Sequence, residues 1–319
     1  MSTNNLIKEN PTSESTFSSG DSSLQIDVNQ TKAALQANLN TAQNVTNYAQ
    51  ATVTAVPRVS DPPDWFAPIQ TDLETSQSHA VTWLKTICPD VTKNIPQSVV
   101  DFNDSFQSIS SQILSVQQDI ENAGGMPTDE QKQNVDTFFG NLVSKLSDQE
   151  KSVTAVQTEI KNYYANVESD QDKIGSNLGT VSARFSDSQT WIQQLTTIIS
   201  ENFLDTNILG PCQTIVEVNF DISLKISGVN ADPTIITLIL AKAVLQNQFS
   251  NQSVSEQAIQ SILDTWTTFL QKVQAVIADL QDAQTDEYLT VLSQCDLQTA
   301  QTQWQQLSDF AATLIVGGN

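Results

Sequence analysis

Between Thr128 and Phe203 the chain contains no proline. Across that span apolar residues return every three or four positions: Phe139, Leu142, Leu146, Val153, Val156, Ile160, Tyr163, Val167 and Ile174. A stripe with this period is the face of an amphipathic helix. About seventy-five residues at a rise of 1.5 Å make a rod of roughly 110 Å. A rod of that length cannot bury its own stripe, so the rest of the chain has to lie along it. The register slips once after Ile174 and resumes at Leu178, Val181, Phe185, Ile192, Leu195 and Ile199. Gly175 and Gly179 stand at the slip. They are read as hinge residues, with a merely loosened helix as the plainer alternative.

A second rod answers the first. Ile259, Ile262, Trp266, Phe269, Val273, Val276 and Leu280 keep a heptad, and beyond a disturbed patch at 283–287 it resumes through Leu292, Cys295, Trp304, Leu307, Ala311 and Leu314. Two such rods lie antiparallel in an up-and-down bundle. The remaining sides are filled by earlier helices, starting near Asp21. One runs through Leu35, Leu39 and Val45 to about Ala55, where Pro57, Pro62, Pro63 and Pro68 crowd the linker. Trp65 and Phe66 pack the bend there. A helix follows from about Ile69 to Ile87, ahead of Pro89, and another from about Gln97 to Asn122, carrying Phe102, Phe106, Ile109, Ile113, Val116 and Ile120. Gly124, Gly125 and Pro127 end that helix, and Thr128 with Gln131 forms a capping box for the next. Residues 1–20, rich in Ser, Thr and Asn, read as a flexible leader without the basic and apolar parts of a secretory signal.

Between the rods lies an island of another character, Ile208–Leu245. Val216, Val218, Phe220, Ile222, Leu224 and Ile226 alternate with polar residues, the period of a strand with one apolar face. Turn-forming residues from Gly228 to Pro233 follow. The next run, Ile235–Leu245, contains Ile235, Ile236, Leu238, Ile239, Leu240, Val244 and Leu245. It is too short for a membrane-spanning helix, which needs ~20 apolar residues, and its pattern leaves strand and helix both open. Two readings of the island stand side by side. It is a small hairpin cap packed on the bundle end, or a head that hides its apolar face in solution and offers it to lipid or to a partner.

The net charge of -22 excludes a phosphate backbone as a partner. It also repels anionic lipid, so a membrane approach has to be driven by apolar area or by a partner. Enzymatic constellations are missing: one histidine (His79, read as an ordinary surface or half-buried side chain), no GxSxG, GxGxxG, Walker or HExxH motif. Glu168, Asp170 and Asp172 point around a helix and read as a solvated face. Cys88, Cys212 and Cys295 have no metal-ligand spacing. They read as buried structural cysteines, with a disulfide between two of them left open. No cofactor and no metal are expected.

The order of short N-terminal helices, a rod ending QTWIQQLTTIISENF, the apolar island at Ile208–Leu245 and a long return rod resembles the cytolysin A superfamily of α-helical pore-forming toxins. Closest in plan are the haemolysin BL and non-haemolytic enterotoxin subunits. The resemblance covers about Asp21 to Leu314. It implies a mainly α fold: an elongated antiparallel bundle with two very long helices and a small apolar β-tongue head inserted between them. On this reading 21–207 and 246–319 form the body and 208–245 the head. It further implies a secreted bacterial toxin component without a classical signal peptide that assembles as an oligomer on a target-cell membrane with companion subunits. The apolar positions 216–226 and 235–245 named above would touch the membrane. Glu217, Asp221, Lys225, Asp232 and Lys242 interrupt this head, and central charges cost ~2.5–3.5 kcal/mol each on insertion scales. That favours a subunit working beside a more hydrophobic partner. The competing expectation is a soluble interaction protein whose tip docks a partner, with a non-pore insecticidal or adhesion factor on the same scaffold as a third.

Overall fold

The computed structural model describes residues 23–54, 64–182 and 233–316. Among them every regular element is helical. After a strap at 23–27 the helices are α1 (Val28–Thr54), α2 (Ala67–Thr82), α3 (Ile95–Asn122), α4 (Asp129–Ser182), α5 (Pro233–Ser250), α6 (Gln252–Asp282), α7 (Tyr288–Gln294) and α8 (Leu297–Val316).

The 54 residues of α4 make a rod of about 80 Å. It starts as its sequence dictates. The Thr128 amide donates to the Gln131 side-chain carbonyl at 2.8 Å, and the Gln131 amide to the Thr128 hydroxyl at 3.2 Å. Just before it, α3 closes on two glycines with positive φ, Gly124 at 97° and Gly125 at 88°. The Gly125 amide donates back to the Ile120 carbonyl at 2.8 Å, satisfying a carbonyl that the helix end would otherwise orphan.

Helices α5 and α6 return along α4 in the opposite direction, as the two stripes require. Polar pairs record the antiparallel register: Glu150 accepts from Thr267 at 2.7 Å, Gln157 donates to Gln260 at 2.6 Å, and the Tyr164 and Ser255 hydroxyls meet at 2.7 Å. Apolar side chains from Val135 to Val181 on α4 and from Ile259 to Leu280 on α6 are buried in one continuous core. Near its middle Phe102 and Phe106 of α3, Trp266 and Phe269 of α6 and Trp304 of α8 cluster, with Phe102 and Trp304 centroids 4.6 Å apart. The bend residues behave as expected: Phe66 is fully buried, and Trp65 packs edge-on against it.

Two stretches depart from the sequence expectation. Residues 67–122 run as one helical path rather than two helices parted at Pro89. Two π-helical turns, Trp83–Ile87 and Asp90–Asn94, flank Pro89, and the Cys88 and Ile95 amides donate five residues back, to Trp83 and Asp90. The wider turn absorbs the amide that proline lacks, so the path bends without ending. Second, the return rod does not resume beyond 283–287. Ala283 is extended, α7 is short, and Asp296 takes a left-handed φ of 48°. The chain thereby reverses, and α8 runs back beside α3, where Asn103 meets Gln305 at 3.1 Å and Gln107 meets the Gln301 carbonyl at 2.8 Å. No glycine marks this reversal, which is why the continuing stripe reads as one rod.

Asp170 is a further correction. Instead of joining Glu168 and Asp172 on the solvated face, it is buried at 2% exposure, and its carboxylate accepts from His79 Nδ1 of α2 at 2.7 Å. Removing one member strands a buried carboxylate. His79→Ala is expected to lose about 1–3 kcal/mol in urea unfolding, and much less in an Asp170→Asn background; equal losses in both backgrounds would show that the pair is uncoupled.

Cys295 is a free, buried thiol whose pKa burial pushes up to about 12, with Asp279 adding to the effect. Cys88 is disulfide-bonded, and the third cysteine, Cys212, lies outside the described residues. Because the Cys88 sulfur carries no proton, the Thr46 hydroxyl 3.1 Å away donates to it and accepts from the Trp83 indole at 3.0 Å. The raised Cys295 pKa sets an alkaline limit. Above the ordinary value of 9.0 the unfolded thiol ionises while the folded one stays neutral, so stability falls as pH climbs from about 9 toward about 12. The slope from this one group is at most ~1.4 kcal/mol per pH unit. Cys295→Ala should flatten the alkaline fall in a denaturation series; an unchanged slope would contradict the assignment.

Candidate functional site

The segment Ile208–Leu245, singled out by its pattern, enters the described structure only at its C-terminal part. Val216, Val218, Phe220, Ile222, Leu224 and Ile226 lie outside the described residues. The run Ile235–Leu245, for which strand and helix stood open, is helical throughout as part of α5. Pro233 opens that helix at its first position, where a missing amide costs no hydrogen bond. Unlike α3 or α6, α5 has no wet face over most of its length, and a helix apolar all round has to be covered.

The covering elements are α4 and α1. Leu238, Ile239, Val244 and Leu245 are buried, together with Ala241 and Ala243. Ile235, Ile236 and Leu240 lie on the same helix. Lys242, the one charge in the run, is only half-buried. Two polar groups are trapped here without partners: the Thr237 hydroxyl and the Gln248 amide nitrogen. Each costs free energy because it has left water without gaining a bond. Leu238, Ile239, Val244 and Leu245, read from their pattern as part of the head, are therefore buried on a helix that packs against α1 and α4. Among the described residues no helix is long and apolar enough to cross a membrane.

The two glycines of the register slip sit inside α4, which stays helical through both. A methyl group at either would meet no atom within 4 Å. Neither glycine is therefore required by a close approach or a positive φ. Both lie at the end of α4 that leads toward residues 183–232. Close by, α2 is tied to α4 by the His79–Asp170 pair and by Asn177 donating to Asp72 at 2.8 Å. That pairing escaped the sequence reading, although Asp170 interrupting an apolar stripe was its one available signal.

Among the described residues no three His, Cys, Asp or Glu side chains converge as metal ligands would. The grooves on the surface are open, such as the one of about 220 Å³ between the strap and α6 lined by Gln25, Ile26, Asp264, Phe269 and Lys272. The prominent chemistry is the apolar run of α5, whose Leu238, Ile239, Val244 and Leu245 are buried in the bundle.

Comparison with known proteins agrees. The model of the Bacillus haemolytic enterotoxin (HBL) family matches residues 54–203, from the end of α1 through α4 and beyond. No curated protein sequence matches the chain. Among solved structures, the Bacillus cereus HblL1 toxin component superposes with a TM-score of 0.66 at 14% identity, over 89% of this chain and 95% of that one. Motility Associated Killing Factor B from Vibrio cholerae gives 0.68 at 12% identity, over 91% and 93%. Soluble SmhB of the tripartite α-pore-forming toxin Smh from Serratia marcescens gives 0.63 at 12% identity, over 91% and 92%. This is the fold of an α-pore-forming toxin component. The resemblance read from the order of the elements is thus borne out. Coverage above nine-tenths of each matched chain is reached in all three, so the likeness takes in the whole bundle plan.

The glycine pair yields a separable expectation. With space at both positions, Gly175→Ala and Gly179→Ala should each stabilise the soluble protein by about 0.5–1 kcal/mol. A thermal melt checks this; a fall in midpoint would mean that α4 needs a glycine backbone in its resting state.

Proposed function

We propose that this protein is a component of a secreted, multi-subunit α-pore-forming toxin, and that residues 208–245 form its membrane-interacting head. The observation that carries the reading is α5. It is the helix without a polar stripe, it is held between α1 and α4 in a bundle of toxin-component plan, and it directly follows the alternating segment 216–226. Burial of α5 against partners that leave Thr237 and Gln248 unsatisfied is a compromise suited to a segment that has a second environment. In lipid, a lone strand with unpaired backbone is untenable. The head therefore enters as a paired hairpin, as helix, or among neighbouring copies in an oligomer. Gly175 and Gly179 are proposed as the hinge through which α4 adjusts when the head leaves.

The charges within 217–242 support a role beside companion subunits rather than alone, since each would have to face a lumen or a partner. SmhB is part of a tripartite toxin, which supports the same reading. The strongly acidic surface fits an approach to target-cell membranes driven by apolar area and companion proteins.

The decisive test places an environment-sensitive fluorophore on Ile222→Cys in a protein whose three native cysteines are replaced. Target-cell membranes are then added, with and without the proteins encoded beside it. A blue shift accompanied by a large detergent-resistant oligomer is the expected result, and dependence on the companion proteins identifies a subunit. Phe220→Asp should abolish lysis while leaving helicity unchanged. Bound protein with an unchanged spectrum, or full lysis by Phe220→Asp, would favour a tip that only docks a protein partner.

A further inference from the structure

Helices α1, α2, α4 and α5 pack as a ring: α1 on α2, α2 on α4, α4 on α5, and α5 back on α1. Polar contacts across the seams fix how high each residue stands in it. His79 of α2 is level with Asp170 of α4, because the two are bonded. One turn further along α2, Trp83 donates to Thr46 of α1 at 3.0 Å. The two helices run in opposite directions, so Gln50, one turn beyond Thr46, stands level with His79. On the other side, the Tyr164–Ser255 pair sets α4 against the return path. Asp170 lies six residues beyond Tyr164 and Gln248 seven before Ser255, which makes them level to within ~1.5 Å. The contact between Thr31 and Thr265 at 3.3 Å brings Gln50 and Gln248 to one height within ~3 Å. The seams agree on a single layer of Gln50, His79, Asp170 and Gln248, one polar side chain from each helix.

This layer crosses an apolar interior. Val167 and Ile174 of α4, Ala80 of α2 and Leu245 of α5 are buried on the turns around it. His79 and Asp170 satisfy each other at its rim. The two glutamines do not. Gln50 is 4% exposed and Gln248 1%, yet neither polar atom of the Gln50 amide group has a protein partner, and neither has the Gln248 amide nitrogen. Unmade bonds at this depth are costly, and folded proteins leave few of them.

The chemistry of the set says what would complete it. Two amide groups bring four N–H donors, the Gln50 carbonyl brings an acceptor, and Asp170 has lone pairs beyond the one that His79 engages. Donors in that number do not suit a metal ion, which takes oxygen ligands. The Asp170 carboxylate beside them opposes an anion. Water both donates and accepts, and a buried water is stable with two to four polar partners.

We propose that Gln50 and Gln248 hold ordered water between them, shared with the Asp170 carboxylate, so that the ring of four helices encloses an internal hydration site. Water lifts the cost that protein neighbours alone impose on Gln248; Thr237, near the start of α5, stands outside the layer. It also joins α1 to α5 at the height where the His79–Asp170 bond joins α2 to α4. The site belongs to the bundle as described and holds whether or not residues 208–245 meet a membrane.

A double-mutant cycle in urea unfolding of the full chain tests this, using Gln50→Met and Gln248→Met, which keep side-chain length and remove the polar group. Dry, unsatisfied amides would make each single substitution stabilising. With shared water, each single substitution strands the water and the remaining amide, and should raise the unfolding equilibrium constant about fivefold or more. The double variant loses both ends of the bridge, expels the water and should be no less stable than either single variant. Stabilisation by either single substitution, or losses that simply add, would overturn the proposal. A crystal structure of the unaltered soluble protein gives a second reading that needs no variant to fold. Water within hydrogen-bond distance of both amides is the expected result; amides bonded to each other, or a dry gap between them, would overturn it.

Discussion

The antiparallel seam between α4 and the α5–α6 path is the contact on which everything else in this molecule leans. A helix of 54 residues has no interior of its own, and its stability comes from covering one stripe along its whole length. The return path covers that stripe, and the pairs Glu150–Thr267, Gln157–Gln260 and Tyr164–Ser255 keep the two in a single register. Once that seam is set, α3 packs on one half of the rod with α8 beside it, and α2 packs on the other half while α1 lies along α5 and α6. The two halves are built differently. One is centred on the cluster of Phe102, Trp266 and Trp304; the other buries Phe66, Trp83, Tyr163 and Tyr164 beside the alanines, threonines and Gln50 of α1.

That asymmetry matches the division of labour proposed for the protein. The half nearest residues 183–232 contains α5, the glycines of α4, the His79–Asp170 pair, the π-helical turns around Pro89 and the polar face of α1. The buried His79–Asp170 pair and the buried polar side chains of α1 are features that a protein selected only for rigidity would replace with well-packed apolar side chains. The opposite half holds the capping box, the glycine-closed end of α3 and the aromatic cluster, features that pin a structure in one state. A chain that has to store an apolar segment and later release it needs one anchored half and one half held by weaker, partly unsatisfied contacts.

The His79–Asp170 pair illustrates why the storage half is harder to read. Asp170 interrupts an apolar stripe, a fact visible in the sequence, but its partner is 91 residues away on another helix. No local pattern can show that the only histidine of the chain falls opposite it. The same holds for the strap: Leu24, Gln25 and Ile26 read as the first turn of a helix until Lys272, Cys295, Asp296 and Gln303 are brought against them from the far end of the chain.

What the sequence by itself determined is the set of properties carried by periodicity and by local chemistry. The helical rods, the antiparallel plan, the Thr128–Gln131 cap, the glycine stop at 124–125 and the bend at Trp65–Phe66 all follow from residues within a few positions of one another. The apolar excess of Ile235–Leu245 was equally plain, because it needs only a count of side chains. Tertiary structure decided the rest. It settled that this run is a helix packed between α1 and α4, since an unbroken apolar stretch suits strand or helix equally and its neighbours choose. It carried the helical path through Pro89, where two π turns absorbed the missing amide, and it turned the tail back at Asp296, a reversal that no glycine announced. In each case the deciding energy is a contact between residues distant in sequence, and such contacts leave no period to read.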